Sequence, residues 1–269
     1  MKITILANQD IASNYAINML LALLVNHDVS VFLSSQVGSN DNKPTPLLSL
    51  KSIEQHLFTE TLSVLLDGEL SHKAKFKSFE GLSKQLCSPV SILNNINTVE
   101  GIEKLKQTDP DLIISIRYGI ILKDAIIGIP RFGVINLHSG LLPTYRGVMA
   151  TFWAMLNGDK TIGCTLHYID NSQIDTGRTI AVTALTVNQK RSYLWHVLTL
   201  YEQGVEEIAK TVKKIAAQAP IDSSAQKSGG HYYTFPTSQD LQNFDSKGLV
   251  LADKIEILEF FHIRYLFTD

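Results

Sequence analysis

Cysteine is scarce: Cys87 and Cys164 are the whole supply. They fit no metal-ligand spacing and need not pair, so neither a bound metal nor a disulfide scaffold is expected, and the setting reads as reducing. Neither sign of charge dominates. Twenty-four Lys and Arg stand against 26 Asp and Glu, giving a net charge of −2 and an isoelectric point near 6.4. A chain whose main task is gripping nucleic acid carries a basic patch or a high isoelectric point, so no nucleic-acid partner is expected. Long apolar runs are missing too. Ile17–Val25 is far short of a bilayer span and reads as a core helix, so no membrane partner is expected. No secretory signal precedes it, which makes a cytoplasmic location the expectation. The turn Asn8–Asn14 contains no glycine. A phosphate-cradling turn normally needs one for close backbone approach, so its absence counts against NAD. No repeat and no low-complexity segment occurs.

What is present is an α/β pattern. Lys2–Ala7 is a buried first strand, a helix follows to about His27 with Ser13 or Asn14 as its cap, and Val29–Leu33 is a second strand. That is the opening of a doubly wound, mostly parallel sheet. Ser35–Thr45, with Gly38, reads as a loop. Leu47–Leu66 and Lys73–Leu86 carry apolar residues at helical spacing. Val90–Leu93 is a third strand with the polar exit Asn94–Asn97, either a turn or one wall of a site. A helix over Val99–Thr108 and a strand from Pro110 to Ser115 follow. Val148–Asn157 is a helix with Gly158 just past its end. Ile162–Ile169 alternates as a strand, and Thr179–Leu185 is another. Ser192–Ala217 is a long amphipathic helix whose basic end suits the helix dipole. Residues 1–217 thus form one expected domain and 218–269 a small C-terminal appendage of short helix and strand elements. In the appendage Pro220–Gly230 is a linker, Thr237 or Ser238 caps a helix over Gln239–Asp245, and Leu249–Leu251 is a strand.

The chemistry concentrates in Val134–Gly177. Val134 and Ile135 lie in a buried strand, and period-two alternation puts Asn136 and His138 on one face where that strand runs out. Ligands of open α/β sheets bind at such carboxyl ends. Asp175 follows in an Ile-Asp-Thr-Gly turn. An amide can donate to a developing oxyanion, an imidazole can shuttle a proton, and a carboxylate can fix the imidazole's charge and accept a proton. The set suits acyl transfer to an amine, although an Asn-x-His at a strand end serves capping and turn chemistry as readily.

Asn136-Leu-His138, Leu141-Leu142-Pro143, Tyr145-Arg146-Gly147 and Ile174-Asp175-Thr176-Gly177, in this order and at these gaps, resemble the folate-dependent formyltransferase family. The family includes glycinamide ribonucleotide, methionyl-tRNA and nucleotide-sugar N-formyltransferases. The resemblance implies a Rossmann-like formyltransferase fold and transfer of the formyl group of 10-formyltetrahydrofolate, without a metal, to a primary amine. It implies Asn136, His138 and Asp175 as the reacting set. It also implies a pterin pocket built from Arg117, Tyr118, Gly119, Ile120, Ile121 and Leu122, from Leu142 and Pro143, and from Ile169, Asp170 and Asn171. Gly119 would let the backbone approach a flat ring, and Arg117, a charge among apolar neighbours, should meet an acidic partner or the folate. His167 matches a recurrent histidine position near the site, or simply packs on a strand face.

One departure is visible: His138-Ser139-Gly140 stands where members often carry His-Pro-Ser. The glycine-free Asn8–Asn14 turn argues against glycinamide ribonucleotide, whose formyltransferases carry a Gly-rich turn there. The appendage is too short for the basic barrel of the methionyl-tRNA enzymes. The expected partner is therefore a small-molecule amine, such as a nucleotide-linked amino sugar, with glycinamide ribonucleotide or a hydroxyornithine-like amine as alternatives and room for a homodimer. A formyl-tetrahydrofolate hydrolase or an inactive folate-binding relative is the rival of another class. The Tyr-rich turn Gly230–Pro236 suits substrate stacking or packing of the appendage.

Overall fold

The computed structural model describes residues 1–35 and 43–267. The expected loop over 35–45, with Gly38, falls largely outside them. The main sheet comprises β1 (Lys2–Asn8), β2 (Asp28–Ser34), β3 (Ser91–Ile92), β4 (Leu112–Ile116), β5 (Val134–His138), β7 (Thr161–Tyr168) and β8 (Thr179–Thr186). Its order is β3-β2-β1-β4-β5-β7-β8. The first five strands are parallel, β7 runs antiparallel to β5, and β8 antiparallel to β7. This is the doubly wound, mostly parallel sheet the sequence leads one to expect. Its switch point, between β1 and β4, opens a crevice at their carboxyl ends. The short strands β6 (Tyr145–Gly147) and β9 (His231–Tyr233) form a second, parallel pair.

Helices cover both faces. On one side α1 (Ile11–Leu23) and α8 (Tyr193–Ala216) pack on Ile3, Ile5, Ile114, Ile135 and Leu137. On the other, α5 (Val99–Lys106) and α6 (Asp124–Ile127) cover Leu6, Ile113 and Val134. Strand alternation divides β5 accordingly. Ile135 and Leu137 enter the larger core, while Asn136 and His138 share a face with Val134. The remaining helices are α2 (Thr45–Lys51), α3 (Ser63–Asp67), α4 (Phe79–Ser83), α7 (Ala150–Asn157), α9 (Ser238–Ser246) and α10 (Lys254–Tyr265). No helix of the described residues is long and apolar enough to cross a membrane.

Several local expectations change. The cap of α1 is Asp10, not Ser13 or Asn14: its carboxylate accepts the Ser13 N–H at 2.7 Å. The helix expected over Leu47–Leu66 spans α2 to α3, but its middle, Ser52–Leu62, is π-helical, which apolar spacing alone does not distinguish. Only Phe79–Ser83 of Lys73–Leu86 is helical. The N–H groups of Lys75 and Phe76 donate instead to the Tyr265 carbonyl, and Ser78 caps the short helix that follows. Leu249–Leu251 is not a strand, because the carbonyls of Val250 and Leu251 accept the N–H groups of Tyr193 and Leu194 in the first turn of α8. Thr237 does cap α9, in a full capping box with Asp240. The apolar side chains Leu241, Phe244, Ile257, Phe260 and Tyr265 of the C-terminal segment belong to the same buried cluster as the sheet and α8.

Candidate active site

The carboxyl ends of the parallel strands β1, β4 and β5, with His167 and Tyr168 of antiparallel β7, line one cavity of about 430 Å³. Asn136, His138, His167 and Asp175 share one of its walls. In the β5–β7 register Asn136 lies opposite His167, and His138 opposite Thr165. The antiparallel pairing therefore sets His167 beside the Asn-x-His pair. Asp175 enters from the loop between β7 and β8, with a left-handed φ of 54°.

The hydrogen bonds orient every ring and carboxylate. His138 is 8% exposed and its Nε2–H donates to the Tyr145 carbonyl at 2.7 Å. Nδ1 is thereby left facing Oδ2 of Asp175 at 3.5 Å. His167 bonds the Tyr168 carbonyl through Nδ1 at 2.8 Å. Its Nε2 lies 3.1 Å from Nδ2 of Asn136 and 3.4 Å from Oδ1 of Asp175. An amide N–H of Asn136 given to His167 leaves its second N–H for the cavity. Asp175 Oδ2 also accepts the Gly147 N–H at 2.8 Å. Burial works against the charged form of Asp175, yet the His138 and His167 imidazoles and the Gly147 N–H outweigh it, and its carboxyl is held down at about 2. The site thus holds a permanent carboxylate against two imidazoles, with an amide donor beside them.

The lining residues divide by chemistry. Tyr118–Leu122 with Tyr168 and Ile169 form an apolar arm, to which the loop Asn171–Asp175 adds. Ile121 is 56% exposed there. Asn8, Arg117, Glu54 and Lys51, with Tyr232 and Phe235, form a polar and aromatic arm. Arg117 follows β4 with a left-handed φ of 58°, so the unusual backbone lies there and not at Gly119. Its Nε donates to fully buried Asp10 at 2.9 Å, and its Nη2 donates to Glu54. Arg117 therefore meets acidic partners, as its surroundings demand. Asp10 also accepts the Asn8 Nδ2 donor at 2.8 Å. The N-terminal end of α1, where an open α/β fold can hold a phosphate, is filled by the chain's own carboxylate. Burial, reinforced by Asp10, pushes the Glu54 carboxyl up to about 7 against the pull of Arg117.

Three residues expected at the pterin lie outside the cavity wall. The Leu142 N–H is spent on Thr165 Oγ1, the Pro143 backbone packs against Gly230, and Asp170 forms a salt bridge to Arg178 at 3.0 Å. Asn94 and Asn97 are loop clamps. Asn94 bonds Ser35, and Asn97 bonds the Ile121 carbonyl and the Lys123 N–H. The Tyr-rich turn divides its work: Tyr232 and Phe235 line the cavity, whereas Tyr233 stacks between Tyr145 and Trp153 at 5.5 and 4.8 Å. Sequence reading missed Glu54 and Lys51, which only the long helix brings over the cavity. It left His167 undecided, although the alternation Thr165-x-His167 already placed that ring on one face with Thr165. Among the described residues no group of three or more His, Cys, Asp or Glu is arranged to hold a metal ion.

A family model described as formyl transferase matches residues 70–197. The chain is 37% identical over 133 residues to a bifunctional polymyxin resistance protein ArnA of Wigglesworthia glossinidia brevipalpis, covering 49% of this chain and 20% of that one. It is 31% identical over 147 residues to a methionyl-tRNA formyltransferase of Caldanaerobacter subterraneus, covering 53% and 46%. The chain thus spans half or less of the length of these curated relatives. Among solved structures, a sugar N-formyltransferase from a Shewanella species superposes with a TM-score of 0.56 at 15% identity, over 90% of this chain and 86% of that one. An N-formyltransferase from Helicobacter canadensis, in complex with folinic acid and dTDP-3-aminofucose, gives 0.56 at 18% identity over 94% and 85%. At such identities the superpositions show a common fold.

Proposed function

Because this chain belongs to the folate-dependent formyltransferase superfamily, we propose that it transfers the formyl group of 10-formyltetrahydrofolate to the primary amine of a small substrate. The observation that carries the reading is the convergence of Asn136, His138 and Asp175 on one wall of a single cavity with an apolar arm beside it. The apolar arm, with backbone along Tyr118–Leu122 and Ile169, suits a flat reduced pterin. The polar arm suits the amine.

In this reading the amine nitrogen attacks the formyl carbon held between the arms. The carbonyl oxygen takes the negative charge. The free N–H of Asn136 donates to it, and an imidazolium His138, with its Nδ1–H held by Asp175, sets positive charge beside it, within a largely water-excluded wall where such groups are worth most. Asp175 holds His138 and accepts the amine proton through a water molecule. The carbon–N10 bond then breaks, N10 takes the proton that the amine gave up, relayed back from Asp175 through the same water, and the products are the N-formyl amine and tetrahydrofolate. The bond formed and the bond broken are both carbon–nitrogen, and no redox partner is needed.

A nucleotide-linked amino sugar is the acceptor we favour. One solved structure of this fold is named as a complex with dTDP-3-aminofucose and another as a sugar N-formyltransferase, and this polar arm includes Lys51, Tyr232 and Phe235, basic and aromatic groups. Glycinamide ribonucleotide is disfavoured because Asp10 occupies the phosphate position at α1. An amine panel including dTDP-linked amino sugars, glycinamide ribonucleotide and hydroxyornithine, with tetrahydrofolate formation followed by absorbance, tests the reading. Tetrahydrofolate release without any amine would instead mark a hydrolase. Asn136→Ala should lower the turnover number by about 10²–10³-fold, the usual cost of an oxyanion donor, and Asp175→Ala by about 10²–10⁴-fold. Full activity in both variants would sink the assignment.

A further inference from the structure

The segment between α8 and β9 reads as a polar linker, yet it grips the loop that carries Asp175. Gln226 Nε2 lies 2.9 Å from the Asp175 carbonyl oxygen and 2.8 Å from the Gly177 carbonyl oxygen. Both partners are acceptors only, so the end of the Gln226 side chain that faces them must be its NH₂ group. The segment is anchored just before this point, where Ser224 and Thr179 exchange backbone hydrogen bonds of 2.8 and 2.9 Å. The loop it holds is a demanding one. Asp175 has a left-handed φ of 54°, and a Cβ on Gly177 would lie 1.8 Å from the Tyr168 carbonyl oxygen. A non-glycine residue persists in that backbone region only where its surroundings over-determine it.

The same C-terminal chain also bears on the Asp175 carboxylate indirectly, through β6. β9 pairs in parallel with β6, and the Val148 N–H donates to the Tyr233 carbonyl at 2.9 Å. This pairing fixes Gly147, whose N–H donates to Asp175 Oδ2 at 2.8 Å. A single stretch of chain, residues 224–233, thus holds the Asp175 backbone directly and its carboxylate's partner Gly147 through β6, and it lies beyond the 70–197 match to the formyl transferase model.

We propose that Gln226 is a positioning residue: it sets the backbone of Asp175 so that the carboxylate meets Gly147, His138 and His167 together. The role rests on the formyl-transfer reading only for its consequence in turnover, and the geometric part stands alone. The groups facing the carboxylate are the imidazoles of His138 on β5 and His167 on β7 and the Gly147 N–H on β6.

The test uses the full chain with Gln226→Ala and the near-isosteric Gln226→Leu. Amide hydrogen exchange is followed by NMR at Gly147, which reports the Asp175 carboxylate, and at Val148, which reports the β6–β9 pairing. Exchange at Gly147 should be at least about tenfold faster in both variants, with Val148 unchanged. Unchanged exchange at Gly147 in the variants would overturn the proposal, as would equal acceleration at both amides, which marks a merely structural loss. In parallel, 5-formyltetrahydrofolate is titrated calorimetrically. Its binding should be retained in wild type and variants, and with an amine accepted by the wild type the turnover number should fall about tenfold with KM for the folate within twofold. A wild type that binds no folate would refute the formyl-transfer reading while leaving the Gly147 result to decide the role of Gln226.

Discussion

At Asp175 three partners hold one carboxyl charged. Its folded value of about 2 lies below the unfolded 3.8, so the stabilisation it provides is fully present above the unfolded value and is lost as pH falls through the folded one. The difference amounts to about 2 kcal/mol. Urea titrations of wild type and Asp175→Asn should differ by about that much at pH 5, the gap narrowing as pH is lowered below 4. Glu54 behaves with the opposite sign. Its folded value, about 7, lies above the unfolded 4.5, so its contribution is present at low pH and is lost as pH rises through 7. Thermal scans between pH 5 and 8 should show wild type losing stability over this range and Glu54→Gln much less, since Arg117 keeps Asp10 as its partner in the variant. A parallel fall in both proteins would show that Glu54 is charged and solvated throughout.

At the scale of elements, the site depends on two short strands whose backbones meet closely. Gly147 has φ 97°, and a Cβ on it would stand 2.1 Å from the Tyr233 carbonyl oxygen. Gly147→Ala should therefore part β6 from β9 and cost at least about 2 kcal/mol. It should also cost activity, since the Gly147 N–H is a ligand of Asp175. Urea unfolding with a parallel transfer assay checks both effects. The Tyr-Arg-Gly stretch in the sequence marks this spot without disclosing the reason, because the strand that demands a glycine there lies some 85 residues further on. Edges of elements were legible where the residue itself sets the cap, as with the Thr237 hydroxyl at the start of α9 and the left-handed backbone of Gly158 at the end of α7. They were not legible at Lys75–Phe76 or Val250–Leu251, whose backbone groups are claimed by distant segments.

Across the whole molecule, the first and last parts of the chain share a core. Tyr265 is fully buried, donates to the Ile11 carbonyl at 3.2 Å, and packs its ring among Tyr15, Phe58, Phe76 and Phe261. Tyr265→Ala should destabilise by about 3–5 kcal/mol, the cost of a large aromatic in a close-packed core. The measurement is urea unfolding; a loss under about 1 kcal/mol would mean that α10 is a detachable cover. We propose on the same grounds that residues 1–217 carry the catalytic groups but do not form a stable unit without the C-terminal segment.

The sequence by itself determined the parallel sheet, through short apolar runs separated by helical spacing. It determined the placement of Asn136 and His138 on one face, through period-two alternation. Both are local patterns, set by the repeat of the element that carries them. Tertiary structure alone decided that Asp10 pairs with Arg117, that Glu54 joins Arg117 at the cavity, and that Gln226 holds the backbone of Asp175. These contacts join residues 107, 63 and 51 positions apart, and are made through strand order and register that no local repeat encodes. Hydrogen bonds and ion pairs specify donors and acceptors but not their addresses in the chain. The fold supplies those by bringing the carboxyl ends of the strands to one crevice.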